Sequence, residues 1–323
     1  MTTISDIARW IEENDRFALM AHVRPDGDSL GSTLALRLAL LQLGKQAFVV
    51  YPEPVPDTYR FLPGVDQIVD ENHLPFEPQC AIVIDVAEEG RLGRAAEVLH
   101  RVSDCAVIDH HEVKNCAVAR NVIRPGAAAA GELIFELIRA LGVTLTKDVA
   151  TCLFTAMSTD TGHFNFSNTT PETLRYCADC VAAGVDVSGL TRVLFRLRTP
   201  RRVKLLALGL DAIEYHAEGK LALTRITRDM FETARAVHSD ADRIVNFLMD
   251  TEGVCVAILA EETDDGTKFS FRSIGSTDVA ALARQVGGGG HEHASGATIH
   301  LPMGEAVQRV LDVFLPAVGV IED

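Results

Sequence analysis

Phe17-Ala18-Leu19-Met20-Ala21-His22-Val23-Arg24-Pro25-Asp26-Gly27-Asp28-Ser29-Leu30-Gly31-Ser32 opens as an apolar run, breaks at His22, and resumes as a helical pattern from about residue 30 to 43. A short apolar run without polar alternation reads as a strand buried on both faces, as in a parallel sheet. Similar runs follow at Ala47 to Tyr51, Ala81 to Val86 and Ala106 to Ile108, with helical segments near 91–100, 129–141, 147–158 and 171–183. Strands alternating with helices imply βαβ units with right-handed crossovers. The fold class expected is therefore α/β, beginning with a doubly wound, mostly parallel sheet.

From 184 to about 203 the pattern loosens, ending in Thr199-Pro200-Arg201-Arg202. Beyond it the pattern predicts a helix near 201–216, a strand from Lys220 to Ile226, and a helix near 239–250. Strands from Val254 to Glu261 and Lys268 to Ser273 flank the turn signal Asp264-Asp265-Gly266. A helix near 278–285, a glycine run over 287–290, a strand near 296–300 and a closing helix complete a smaller α/β domain. The organisation expected is a catalytic domain over 1–184, a linker over 185–205 and a substrate-binding domain over 206–323, with the active-site cleft between the domains. A length of 323 residues fits two domains, since one domain typically takes ~150.

Composition narrows the function. A net charge of −15 argues against clamping duplex DNA, which needs a basic footprint. Nucleotide substrates stay open, because bound cations invert the sign of an acidic pocket. The seven cysteines lie mostly in apolar runs and read as small hydrophobes, and the C-x-x-C of Cys177 and Cys180 has no second pair at zinc spacing. The N-terminus lacks a signal-peptide pattern. The longest apolar stretches, 33–43 and 127–141, are interrupted by Arg37, Glu132 and Glu136 and fall short of the ~18 residues of a membrane span. A cytoplasmic protein without a membrane partner is expected.

His22, Asp26 and Asp28 lie just past the first strand, where open α/β sheets bind ligands. Ile82-Val83-Ile84 runs into Asp85, Val107-Ile108 into Asp109-His110-His111, and the helical Phe154 to Thr159 into Asp160-Thr161-Gly162. Any one of these carboxylates could be a cap or turn residue. Several of them, with three histidines, at the rim of one domain would repel each other unless two divalent cations sat among them. Asp and His ligands without cysteine suit Mn²⁺ or Mg²⁺, and paired cations serve displacement at phosphorus.

These motifs resemble the DHH phosphoesterase family: His22-x-x-Pro25-Asp26-x-Asp28, the strand end at Asp85, Asp109-His110-His111 itself, and Asp160-Thr161-Gly162. Phe269-Ser270-Phe271-Arg272-Ser273 and Gly287-Gly288-Gly289-Gly290-His291-x-x-Ala294-Ser295-Gly296 resemble the nucleic-acid-type C-terminal domain of that family's nanoRNA and nucleotide phosphatase branch. The resemblance implies that His22 and Asp26 hold one cation, that Asp28, His110 and Asp160 hold the other, and that Asp85 bridges them. It places His111 beside the scissile phosphate as hydrogen-bond donor or general acid, with Asp109 orienting an imidazole. Arg272, Ser273, Gly288, Gly289, Gly290 and His291 would contact substrate. The implied activity is hydrolysis of short single-stranded oligoribonucleotides, linear dinucleotides included, or of 3′-phosphoadenosine 5′-phosphate, with Mn²⁺ ahead of Mg²⁺. A homodimer is compatible with the family.

Within the same superfamily, inorganic pyrophosphatase and single-strand exonuclease are the alternatives. Arg272 with the 287–291 loop argues against the first, and chain length against the second. A non-catalytic nucleotide sensor would have lost a ligand, and none is lost. One departure stands out: Ala127-Ala128-Ala129-Ala130-Gly131-Glu132 occupies a helix start where the family often has Ser or Thr. His163 and His293 flank motifs and are candidates to line the cleft, whereas His73, His100, His216, His238 and His300 read as having no role.

Overall fold

The computed structural model describes residues 2–112 and 116–318. It divides into two compact units, Met1–Leu197 and Arg198–Asp323. The first contains α1 (Ile4–Glu13), β1 (Phe17–Met20), α2 (Gly27–Gln42), β2 (Ala47–Val50), β3 (Cys80–Ile84), α3 (Ala96–Leu99), β4 (Asp104–Asp109), β5 (Asn121–Ile123), α4 (Ala130–Ala140), α5 (Lys147–Asp160), α6 (Pro171–Ala182) and α7 (Val187–Thr191). Its five strands are all parallel, in the order β2-β1-β3-β4-β5.

Both sheet faces are buried, which explains the uninterrupted apolar runs. Phe17 and Leu19 face a core built with α1, α2, α4 and α5, while Ala18 and Met20 face Leu92, Ala95 and Val98 on the other side. Strand order reverses between β1 and β3, because β2 lies to one side of β1 and β3 to β5 lie to the other. Such a switch point leaves a crevice at the carboxyl ends of the strands. His22 follows β1 and Asp85 follows β3, so both stand at that crevice.

Close helix packing brings further residues to it. A Cβ on Gly31 would come within 2.4 Å of the Cys152 carbonyl oxygen, and one on Gly27 within 2.3 Å of Thr159 Oγ1. Only glycine lets α2 lie this tightly along α5. The start of α2, with Asp26 and Asp28, is thereby set beside the end of α5 at Asp160.

The second unit contains α8 (Pro200–Asp211), β6 (Glu214–His216), β7 (Leu221–Ile226), α9 (Arg228–Ala234), α10 (Ile244–Met249), β8 (Val256–Thr263), β9 (Gly266–Ser273), α11 (Val279–Gln285), β10 (Gly289–His291), β11 (Ala294–Ile299) and α12 (Met303–Val318). The sheet order is β10-β11-β9-β8-β7-β6, antiparallel except for β7 with β8. One face carries Phe269 and Phe271 against α11 and α12, and the other carries Ala222, Ala257 and Leu259 beneath α8 and α10. Both units are thus α/β, as the alternation of strands and helices indicated. No helix among the described residues is long and apolar enough to cross a membrane.

Local departures from the sequence pattern have local causes. The helix expected over 201–216 stops at Asp211, and Glu214–His216 instead pair with β7 as an edge strand. The helix expected near 239–250 starts only at Ile244, because Arg243 sits in the left-handed region at φ 75°. Strand β5 and helix α9 were absent from the pattern, β5 having only three residues to show one. The glycine run is partly strand, and Gly288 packs where a Cβ would lie 2.2 Å from the Gly296 carbonyl oxygen.

Candidate metal centre

Asp85 ends β3 with φ at 62°, a left-handed conformation that a non-glycine residue adopts only at a cost. Its carboxylate is buried, and Oδ1 has no hydrogen-bond partner among the described residues. Two imidazoles face it. His22 Nδ1 lies 2.8 Å from the Val23 carbonyl oxygen, which can only accept, so that nitrogen carries a proton. His22 Nε2 then points at Asp85 Oδ2, 3.3 Å away, and at Asp26 Oδ2, 3.5 Å away. His110 repeats the arrangement: Nδ1 donates to the Ala127 carbonyl at 3.2 Å, leaving Nε2 at 3.4 Å from Asp85 Oδ1, 3.5 Å from Asp160 Oδ2 and 3.7 Å from Asp28 Oδ2.

Potential ligand atoms thus fall into triads whose members lie within 4.8 Å of one another: His22, Asp26 and Asp85; Asp28, His110 and Asp160; and Asp85, His110 and His111. Asp85 joins the sets, one carboxylate oxygen toward each of the first two. Neutral imidazole nitrogens and carboxylates converging in this way are all lone-pair donors. Without a cation the arrangement is repulsive, and the protonation equilibria record that. Burial pulls the His22 pKa down, yet its hydrogen bonds to Asp26 and Asp85 push it up to about 10. His110 is likewise pushed up to about 10, against its burial, by Asp85, Asp28 and Asp160. Burial and the charges of Asp85 and Asp26 raise the Asp160 carboxyl to about 6, and burial with Asp85 and Asp160 raises Asp28 well above the carboxylate range. The donor set, all nitrogen and oxygen, fits a hard or borderline divalent cation where these groups converge.

Each of the two carboxylates at the start of α2 is held by a backbone group as well. Asp26 is the N-cap of α2, its Oδ1 accepting from Ser29 N–H at 2.9 Å while Oδ2 faces His22. Asp28 accepts from Ser32 Oγ–H at 2.9 Å and reaches across to α4, taking the N–H groups of Ala130 at 2.7 Å and Gly131 at 3.0 Å. Helix α4 has no side-chain cap of its own at Ala129. The carboxylate of Asp28 caps it instead, so the alanines found where hydroxyl residues were expected leave neither of these donors orphaned. Asn168, which the sequence did not point to, donates to the carbonyls of Ala128 at 3.1 Å and Asp160 at 3.2 Å.

Asp109 is buried and accepts at Oδ1 from the backbone N–H groups of His110 and His111 and from His111 Nδ1, the last at 2.8 Å. Burial would raise its pKa, but these bonds hold it below the usual range. The His111 side chain is 44% exposed against 12% for His110, so His111 presents its free edge outward while His110 faces the carboxylates.

In the second unit, Arg272 of β9 pairs across the sheet with Ala294 of β11, which pairs with His291 of β10. Directly opposed residues share a face, which puts Arg272 and His291 in one row. Arg272 Nη1 donates to the Phe271 carbonyl at 2.9 Å. Ser273 is not in that row. It points to the other face, is buried, and donates its hydroxyl to the Thr277 carbonyl at 2.6 Å, with His293 Nδ1 at 3.1 Å. Gly289 and Gly290 belong to β10, and Gly288 precedes it.

Both units have counterparts among known proteins. Residues 16–157 match the DHH family, N-terminal domain, and residues 230–318 match the DHHA1 domain. The bifunctional oligoribonuclease and PAP phosphatase NrnA of Thermus thermophilus is 34% identical over 91% of this chain and 87% of its own length. The Bacillus subtilis protein of the same name is 29% identical over 92% of this chain and 93% of its own. Among solved structures, an exopolyphosphatase-related protein from Bacteroides fragilis superposes with a TM-score of 0.86 at 26% identity, covering 98% of this chain and 95% of that one. A mixed Asp/His centre at the switch point of a parallel sheet, matched in order by both domains and by relatives of nearly equal length, makes this chain a member of the DHH family with a DHHA1 domain at its C-terminal end.

Proposed function

We propose that the protein is a metal-dependent phosphoesterase that hydrolyses short oligoribonucleotides, linear dinucleotides included, to mononucleotides and removes the 3′-phosphate of 3′-phosphoadenosine 5′-phosphate to give AMP. The observation that carries this is the pair of His/Asp triads joined through Asp85, in a chain 34% identical to an enzyme named for those two activities. His22, Asp26 and Asp85 would hold one divalent cation, and Asp28, His110, Asp160 and Asp85 a second, Mn²⁺ ahead of Mg²⁺ for this donor set. When bound, such a pair activates water at neutral pH and offsets charge on the attacking and leaving oxygens.

The chain's own residues supply the rest. Asp109 binds the His111 Nδ1 proton and so fixes the ring, leaving Nε2 free at the exposed edge to hand a proton to the departing oxygen. The lowered pKa of Asp109 keeps it ionised as the acceptor for that Nδ1 proton. Arg272 and His291, in one row of the DHHA1 sheet, would take a second phosphate of the nucleotide by charge-assisted bonds. Catalysis is thereby assigned to the first unit and recognition of the rest of the substrate to the second.

A product assay with Mn²⁺ on inorganic pyrophosphate, 3′-phosphoadenosine 5′-phosphate and RNAs of two to ten nucleotides tests the proposal. Mononucleotides from the short RNAs and AMP from the bisphosphate are expected. Turnover of pyrophosphate alone would overturn it.

A further inference from the structure

Thr191-Arg192-Val193-Leu194-Phe195-Arg196-Leu197-Arg198-Thr199-Pro200-Arg201-Arg202-Val203-Lys204 has five arginines, one lysine and no acid, in a chain whose net charge is −15. Two of these arginines share a cavity in the first unit. The chain leaves α7 through a π-helical turn, Arg192–Arg196, closed by an i→i+5 bond from Leu197 N–H to the Arg192 carbonyl at 2.6 Å. A π turn sets residues four apart on one side. Arg192 and Arg196, with Ser188, Thr191 and Leu197, line a cavity of about 400 Å³. Its side-chain donors are two guanidinium groups and two hydroxyls, and no carboxylate is among the described residues that line it. Guanidinium forks with hydroxyls are a phosphate-binding set.

One side chain ties this cavity to the metal centre. His163 Nδ1 lies 3.0 Å from Ser158 Oγ and its Nε2 3.2 Å from Thr191 Oγ1, while the ring stacks on Phe195 at 4.8 Å. Ser158 is on α5, two residues before Asp160, and Thr191 is in the cavity wall. Gly162, His163 and Phe164 all have φ between 55° and 64°, a left-handed turn that reverses the chain after Asp160 and swings His163 into place. The imidazole therefore bonds at one nitrogen to the helix that ends in Asp160 and at the other to the cavity wall.

We propose that this cavity is a phosphate subsite for the oligonucleotide, holding a phosphodiester other than the one being cleaved. The inference rests on the oligoribonuclease reading above, and it assigns Arg192 and Arg196 to substrate length rather than to chemistry.

The test compares wild type, Arg192→Gln and the double variant Arg192→Gln/Arg196→Gln on a pentanucleotide RNA and on an aryl phosphodiester with a single phosphate. The double variant is expected to lose about tenfold in kcat/KM on the pentanucleotide, the scale of a charged hydrogen bond, and less than about twofold on the aryl ester. The plot of log kcat/KM against log salt for the pentanucleotide should flatten by about 0.7 for each phosphate that is no longer neutralised. A folding defect would not produce that change in slope, and Arg192→Gln alone should show part of it. Equal losses on the two substrates, or pentanucleotide kinetics and salt slope unchanged from wild type, would overturn the subsite. Wild type that cleaves the aryl ester but no oligonucleotide would remove the underlying reading and the subsite with it, a result seen before any variant is compared.

Discussion

Asp85 bears two costs that packing does not require: a left-handed backbone and a buried carboxylate oxygen with no partner among the described residues. Each is of order 1–3 kcal/mol. Replacement by asparagine should relieve the charge while tolerating the same backbone, since Asn is among the few residues that visit this region. Asp85→Asn is expected to fold with an unchanged or higher melting temperature and to lose roughly a hundredfold or more in turnover. Near-normal turnover would remove its bridging role. The adjacent histidines should separate in a different way. His110→Ala is expected to weaken Mn²⁺ binding in a calorimetric titration. His111→Ala should keep metal affinity and slow the chemical step by ~10²–10⁴, the range for general acid–base catalysis. Equal loss of affinity in the two variants would show that their roles are wrongly divided. Glu132, buried in α4, accepts from the Thr173 hydroxyl, and burial raises its pKa above 4.5 despite that bond. A raised carboxyl favours the folded state most when protonated, so its contribution is full below pH 4.5 and is lost as pH climbs through the folded value. Glu132→Gln keeps the acceptor and cannot ionise. Its gain in melting temperature over wild type should grow as pH rises from there, and a gain independent of pH would contradict the sign.

At the level of elements, the contact between α2 and α5 sets the width of the proposed metal centre. Gly31→Ala would place a methyl 2.4 Å from a backbone carbonyl, which cannot turn aside as a side chain could. Overpacking of this kind costs about 1–3 kcal/mol. Because the same contact spaces Asp28 from Asp160, denaturant midpoint and Mn²⁺ affinity are expected to fall together. A stability loss with unchanged affinity would mean that the centre does not depend on this spacing. The strands β1 to β4 were legible in the sequence because burial on both faces leaves an apolar run that needs no periodicity to be seen. Strand β6 was not, since Glu214-Tyr215-His216 has neither an apolar run nor a clean alternation, and its pairing partner alone makes it a strand. The cap of α4 was equally hidden. Nothing near Ala129 in sequence announces that Asp28, a hundred residues earlier, will supply it.

Across the whole molecule, metal and fold are linked through one of the two units. Trp10 is the only tryptophan and is buried in α1 of the first unit, so its fluorescence reports on the unit that holds the proposed metal centre. A ligand that binds only the assembled site stabilises by about 2.7 kcal/mol at a hundred times its dissociation constant. Saturating Mn²⁺ should therefore raise the unfolding midpoint followed at Trp10, and chelation should reverse the shift. A midpoint indifferent to metal would count against the whole donor set. The residues of the proposed centre were singled out one by one in the sequence, as carboxylates and histidines beside the ends of apolar strands and of one helix. Their grouping into two sets joined by Asp85 came only from the family resemblance, since it depends on which oxygen of Asp85 faces which imidazole, and nothing in the sequence showed Ser273 turning away from the row of Arg272. The two carboxylates at the start of α2 have a consequence for tracing descent. Asp26 caps its own helix and Asp28 caps α4, so a descendant that had abandoned catalysis would still be selected to keep both. Asp85 has no such second employment. In a degenerate relative, position 85 is where a pseudoenzyme would first betray itself, while the two aspartates ahead of it linger as architecture.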